Sequence, residues 1–276
     1  MNQSMINSAV TMGQVQQKLN TIGHNLANAN TTGYKQRDTS FADLLFQQVN
    51  NQPNVAREIG RQTPNGIRVG SGGAVVQTAV RFQQGAIQET GRQLDVALTE
   101  PGYFFELSPT ETGERRFTRD GAFYLSPNPN APGENNLVNS EGEFVLAADG
   151  NPISIPGGFE EFTITDNGTI QIALPDGTFQ DVAQLQLVNI TKPQLLVNLG
   201  DNNFTFPNLD ELGFGIDDVL EESAGTGVFQ QSALEGSNVD LSKEMTNMLE
   251  AQRFYQFNSQ AISITDQMMG LVSNLR

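Results

Sequence analysis

The chain has 276 residues, 31 acidic against 15 basic side chains, a formal net charge of −16, one histidine and no cysteine. That length allows one large domain or two to three small ones, while the missing thiol excludes disulfides and thiolate chemistry. Residues 1–37 carry +3 and residues 239–276 carry −1, leaving −18 to the middle, an argument against nucleic acid or an anionic membrane as partner because phosphate contacts need Lys and Arg.

Residues 1–28 read as one amphipathic helix. Met5, Ala9, Met12, Leu19 and Leu26 recur in steps of three and four or their sum, with Gln16 and Gly23 as weak positions. Asn28, Asn30 and Gly33 suit its termination, since Asn and Gly tolerate the left-handed conformation of a helix cap. No basic segment followed by an apolar one opens the chain, so any export is expected to use a route without a cleaved signal. No apolar run approaches the ~20 residues of a membrane-spanning helix, and membrane insertion is not expected.

Residues 38–48, with Phe41, Leu44, Leu45 and Phe46, suggest a short helix or an extended clamp. The polar stretch 50–70, with Pro53, Gly60 and Pro64, reads as a loop or flexible excursion. From about Gly73 to Phe206 the period becomes that of strands. Ala74–Phe82, Gln93–Leu98, Gly102–Leu107 and Leu185–Ile190 are strand candidates. Asp120-Gly121, Asp149-Gly150, Asn167-Gly168 and Asp176-Gly177 are tight-turn signals. The best hairpins join Phe162–Thr165 to Thr169–Leu174, and Gln171–Leu174 to Thr178–Val182. Short strands at roughly ten-residue spacing imply an all-β sandwich or barrel-like body. Residues 207–227, acidic and Gly-rich, read as a return linker.

The final helix is expected to start at Asn238 or Asp240, either of which can cap its free N–H groups. On it Phe254, Phe257, Ala261, Ile264, Met268, Leu271 and Leu275 alternate in steps of three and four, the spacing of a packed seam. A second apolar line, Leu241, Met245, Met248, Tyr255, Ile262 and Met269, lies beside the first. Two adjacent lines make a sector wider than one partner needs, and so much apolar surface is normally buried among several neighbours. The reading preferred over an ordinary core is that the terminal helices order on assembly with other subunits.

No chemistry survives inspection. His24 lacks partners at catalytic or metal-binding spacing. Gly70-Ser71-Gly72-Gly73 is followed by a β-like run rather than a helix, unlike a phosphate loop. Asp149-Gly150-Asn151 and Asp166-Asn167-Gly168 lack the acidic spacing of a calcium loop. Glu160/Glu161 and Asp217/Asp218 are neighbours in sequence only. No catalytic residue, cofactor or metal is expected.

Four strings carry a family resemblance. Asn25-Leu26-Ala27-Asn28-Ala29-Asn30-Thr31-Thr32-Gly33-Tyr34-Lys35 is similar to the N-terminal signature of the bacterial flagellar rod and hook proteins. Gln84–Gly91 with Leu94–Leu98 and Gly102–Phe105, then Arg116–Phe123 with Leu137-Val138-Asn139 and Gly142, resemble its body motifs. Ala233–Asp240 and Met248–Arg253 with Tyr255 resemble its C-terminal signature. The matches follow the family's order over nearly the whole chain.

The resemblance implies a non-enzymatic subunit of the flagellar basal body, most like the distal-rod type or a Gram-positive rod-type paralogue. It implies an α+β fold with paired, coiled-coil-like terminal helices and an intervening all-β domain. The expected division is 1–30 and 238–276 as helical assembly domain, 31–72 and 207–237 as extended connections, and 73–206 as β-rich outer domain. Copies of the chain, other rod and hook proteins and the flagellar type III export apparatus are the expected partners. The expected assembly interface comprises Met5, Met12, Leu19, Ile22, Leu26, Met245, Met248, Phe254, Phe257, Ile264, Met268, Leu271 and Leu275. The expected motif positions are Asn28, Thr32, Gly33, Tyr34, Asn238, Glu250 and Gln252. The competing readings are a hook-type member, a surface β domain that binds carbohydrate or peptide through Tyr103, Phe104, Phe105 and Tyr124, and a hydrolase with a carboxylate pair.

Overall fold

The computed structural model describes residues 2–43, 46–49, 67–70, 73–109, 113–129, 131–200, 202–209, 213–223 and 227–274. They form an N-terminal helix, a β-rich middle and a C-terminal helix, an α+β chain. Two compact units result. One contains Met1–Ala27, Arg37–Ala79 and Asp240–Arg276, the other Asn28–Gln36 and Val80–Val239.

In the first unit, helix α1 spans Asn2–Ala27 and helix α2 spans Leu241–Asn274. The cap of α2 is Asp240, whose Oδ1 accepts the N–H groups of Ser242 (2.9 Å) and Lys243 (3.1 Å), meeting two of the four orphan donors of a helix start. Asn238, the other candidate, lies outside the helix. Between the helices in sequence, β1 (Arg37–Asp43) pairs with β4 (Gly73–Val80), and β2 (Phe46–Val49) runs antiparallel to β3 (Ile67–Gly70). Of the expected short helix or extended clamp over 38–48, residues 38–43 and 46–48 are extended strand, as is 67–70 at the end of the expected excursion over 50–70; residues 44, 45 and 50–66 lie outside the described residues.

The second unit holds β5 (Ile87–Glu89), β6 (Val96–Leu98), β7 (Tyr103–Leu107), β8 (Arg116–Thr118), β9 (Tyr124–Pro127), β10 (Glu134–Val138), β11 (Ser154–Pro156), β12 (Glu161–Ile164), β13 (Thr169–Ala173), β14 (Phe179–Gln184), β15 (Leu187–Ile190), β16 (Val197–Gly200), β17 (Asn203–Thr205), β18 (Leu220–Ser223), β19 (Phe229–Gln231) and β20 (Ala233–Glu235). Its largest sheet has the order β16-β17-β8-β7-β15-β18, antiparallel throughout. Because successive strand side chains alternate, Phe104 and Phe105 on β7 enter different cores. Phe105 packs with Phe123, Phe162 and Ile153, whereas Phe104 packs with Phe117, Phe204 and Val188.

Both expected hairpins are present, β12 with β13 and β13 with β14, and Gly168 and Gly177 take positive φ in their turns. Asp120-Gly121 is not a hairpin turn. A Cβ on Gly121 would stand 1.7 Å from the carbonyl oxygen of Val96, so that glycine permits a close backbone approach. The acidic return linker also differs from expectation: Leu220–Ser223 is an edge strand paired with β15, and Glu221 and Glu222 place charge on that edge, which discourages further strand pairing.

Candidate assembly interface

Helix α2 has two seams. Glu244, Met248, Ala251, Tyr255, Asn258, Ile262, Thr265 and Met269 alternate in steps of four and three, and each is buried or half-buried. This seam meets α1, where Val15 and Ile22 pack with Ala251 and are flanked by Leu19, Met248 and Tyr255. Asn25, near the end of α1, donates to Glu244 Oε2 at 3.4 Å. Thr265 turns its hydroxyl back onto the Ala261 carbonyl at 2.7 Å, so a polar residue sits in the seam without an unmet group.

The seam of Phe254, Phe257, Ile264, Met268 and Leu271 is not the one that meets α1. It lies roughly 120° around the helix at 3.6 residues per turn, and these side chains are 44–66 % exposed. With Val272 they present roughly 700 Å² of apolar surface in one strip, above the ~300–600 Å² of a typical monomer's largest patch. Leu241, Met245 and Leu249 form a second exposed group on another flank. The expected second apolar line is therefore divided: Met248, Tyr255, Ile262 and Met269 face the pairing seam, whereas Leu241 and Met245 do not. On α1, Ile22 is buried and Met5, Met12, Leu19 and Leu26 are half-buried. Leu275 lies outside the described residues.

The motif positions follow a different logic. In the second unit, Asn28 Oδ1 accepts the Thr31 hydroxyl at 3.2 Å, and Thr32 donates its hydroxyl to Asp120 Oδ1 at 3.0 Å. Gly33 has φ +67°, and a Cβ there would meet the Asp120 nitrogen at 2.8 Å. Its N–H donates to the Glu235 carbonyl at 2.8 Å. Tyr34 is buried. Asn238 accepts the Gln36 N–H at 2.7 Å and donates to the carbonyls of Arg81 and Gln83. In the first unit Asn25 treats the next residue alike: its amide accepts the Arg37 N–H at 2.9 Å and donates to the Arg37 carbonyl at 2.8 Å. Glu250 and Gln252 are exposed on α2.

Beneath these contacts lies a buried ion cluster. Lys35 Nζ stands 2.6 Å from Glu235 Oε1, and Arg119 Nε stands 3.2 Å from Glu235 Oε2. All three side chains are at most 1 % exposed. The Gly85 N–H also donates to Glu235 Oε1, and Lys35 donates to the Gln83 carbonyl. Burial, reinforced by the Arg119 charge, lowers the Lys35 ammonium to about 8, and burial lowers Arg119. Burial raises Asp120. Lys35, Arg119 and Glu235 stand in three different signature strings, yet sequence reasoning did not select them. The available signal was a charged residue inside each string, and the partners lie far apart in the chain.

The aromatic residues offered for ligand binding are not a platform. Phe104 and Phe105 are fully buried and Tyr103 is half-buried. Tyr124 is exposed, with the Arg92 guanidinium 4.4 Å from its ring centre. Surface contact through helix faces, not ligand chemistry, is what this arrangement supports, and it defines a structural protein that works by association.

Comparisons with known proteins agree. Residues 7–35 match the family model for the flagella basal body rod protein, residues 98–172 that for the flagellar hook protein FlgE/F/G D1 domain, and residues 230–275 that for the flagellar basal body rod FlgEFG protein C-terminal. The chain is 37 % identical over 282 residues to the flagellar hook-basal body complex protein FlhP of Bacillus subtilis, covering 100 % of both chains. It is 32 % identical over 279 residues to the flagellar basal-body rod protein FlgG of the same organism, again covering 100 % of both. With FlgG of Agrobacterium fabrum it shares 37 % identity over 272 residues, 96 % of each chain. The chain belongs to the flagellar basal-body rod and hook family. Its function is that of a structural, non-enzymatic rod subunit, and its place is the flagellar basal body.

Proposed function

We propose that this rod subunit assembles with copies of itself and with other rod and hook components through the exposed seam of α2. The observation that carries the reading is the strip from Phe254 to Val272, whose exposure its own chain does not relieve. Its roughly 700 Å² approaches the ~800 Å² per partner of a standard interface. In this reading α1 and α2 form a coiled-coil-like pair through the narrower seam. Residues 1–30 with 238–276 are the helical assembly domain, 31–72 with 207–237 the connections, and 73–206 the outer β domain. Met5, Met12, Leu19, Ile22, Leu26 and Met248 support the pair, while Met245, Phe254, Phe257, Ile264, Met268, Leu271 and Leu275 contact neighbours. Asn28, Thr32, Gly33, Tyr34 and Asn238 fix the chain as it leaves and re-enters the helical part, and on α2 Glu250 lies in line with the strip, one turn before Phe254, while Gln252 faces away from it. The subunit passes through the flagellar type III apparatus without a cleaved signal and occupies a distal-rod or paralogous position.

The test is Ile264→Asp, which puts a charge into the middle of the strip. The expected result is loss of the variant from isolated basal bodies, with the near-ultraviolet circular dichroism of the purified full-length variant unchanged. Normal incorporation would refute the reading.

A further inference from the structure

Sulfur in this chain is confined to its two ends. The seven methionines are Met1, Met5, Met12, Met245, Met248, Met268 and Met269, residues 13–244 hold none, and cysteine is absent. Where thiols are missing, the thioether of methionine is the sulfur that a peroxide can oxidise. An oxidant of that class therefore finds its sulfur targets on the terminal helices and none in the β-rich unit.

The fold sorts these sulfurs by access. Met245 is 51 % exposed and Met268 44 % exposed, whereas Met5, Met12, Met248 and Met269 are half-buried; Met1 lies outside the described residues. Met248 packs against Val15, Ile22 and Ala251. Met268 and Met269 are neighbours set about 100° apart around α2, so one stands in the exposed strip and the other in the seam that meets α1. Among Phe254, Phe257, Ile264, Met268 and Leu271, only Met268 offers a sulfur, and it lies between Ile264 and Leu271.

Resting on the assembly reading above, we propose that Met268 is an oxidative modification site, at which a peroxide converts the free subunit to a sulfoxide form that the rod does not accept. The peroxide ROOH transfers one oxygen to the Met268 Sδ. The O–O bond breaks and the S–O bond forms, the thioether loses two electrons to the peroxide, and the alcohol ROH (water, from hydrogen peroxide) leaves. The product is a polar side chain in place of an apolar one. Its oxygen accepts hydrogen bonds, and Phe254, Phe257, Ile264 and Leu271 supply no side-chain donor to meet it once the strip is covered. Assembly acts in the opposite sense, because a neighbour seated on the strip shields Met268 from the oxidant. The modification thus falls on subunits before incorporation, and since methionine sulfoxide is reducible, it withholds them without destroying them. Met269, turned toward α1, is spared and the helix pair persists.

The test treats the purified full-length chain with hydrogen peroxide and follows each methionine by peptide mass spectrometry. Met268 is expected to oxidise about threefold faster than the adjacent Met269 or more, and about tenfold more slowly in isolated basal bodies than in the free chain. Met268→Gln supplies the second measurement. It is a neutral polar replacement of similar length and helix propensity, so the near-ultraviolet circular dichroism of the purified variant should be unchanged while its incorporation into basal bodies falls about tenfold. Met268→Leu, which peroxide leaves alone, should be incorporated as the wild type is. Equal oxidation of Met268 and Met269 in the free chain, an unchanged Met268 rate in basal bodies, or normal incorporation of Met268→Gln would overturn the proposal. Loss of Ile264→Asp alongside normal incorporation of Met268→Gln overturns this site alone, whereas normal incorporation of Ile264→Asp overturns the assembly reading beneath it.

Discussion

Replacing Glu235 with glutamine removes one charge and almost no volume. The wild-type carboxylate holds Lys35 at 2.6 Å, Arg119 at 3.2 Å and the Gly85 N–H at 2.7 Å. Glutamine keeps an acceptor for Gly85 but leaves two buried cations without a counter-charge. Breaking a buried pair by removing one partner costs about 3–5 kcal/mol, a large share of the ~5–15 kcal/mol stability of a typical domain. The assay is urea unfolding followed by near-ultraviolet circular dichroism, in which Tyr34, Tyr103 and Tyr124 report on the second unit. The double variant Lys35→Met with Glu235→Gln should be less destabilised than Glu235→Gln alone, since it leaves one buried cation, Arg119, without a counter-charge instead of two. A loss below about 1 kcal/mol for Glu235→Gln, the range of a solvent-exposed pair, would refute the account of the cluster as a buried structural element.

Two further outcomes follow from the same unit. The folded chain holds the Lys35 proton less tightly than the unfolded one, with the ammonium lowered from 10.5 to about 8. Stability should therefore rise with pH between 8 and 10.5, by up to about 3 kcal/mol at 1.36 kcal/mol per pH unit; a Lys35→Met variant should lose this rise, and an identical pH profile for both proteins would contradict it. Gly121→Ala should destabilise by about 2–4 kcal/mol through backbone collision with Val96 at 1.7 Å, whereas Gly91→Ala, with open space around it but φ +72°, should lose only about 1 kcal/mol, both read by urea midpoint.

Periodic elements and local hairpins were legible, and long-range pairings were not. Both long helices and both β12–β13–β14 hairpins follow from spacing and turn chemistry, which are local. Of the α2 seam that meets α1, Met248, Tyr255, Ile262 and Met269 were legible within the second apolar line, and the rest escaped because Glu244, Asn258 and Thr265 interrupt its hydrophobic pattern. Their polar groups are met by Asn25, Asn247, the Phe254 carbonyl and the Ala261 carbonyl, and no local pattern announces that. Phe254 to Leu271 then looked like the seam because they are the more apolar line. The ion cluster was hidden for a related reason. Lys, Arg and Glu are seldom buried unless paired, and nothing local links residues 35, 119 and 235. Asp120-Gly121 misled because a glycine needed for close approach and one needed for a turn carry the same dipeptide.

The ranking of the two α2 seams bears on how assembly can be specific. If the most apolar line met α1, the isolated chain would bury it and retain little surface for other copies. Instead a narrow contact built from Val15, Ile22 and Ala251, edged with hydrogen-bonded polar residues, holds the helices together. The larger side chains stay outside. Burial at about 25 cal/mol per Å² would give the ~700 Å² strip a gross gain near 17 kcal/mol, but ordering and lost motion on association consume much of such a gain. On the assembly reading above, the strip is met by a neighbouring rod subunit, and it stays available to that neighbour because the α1 contact does not consume it.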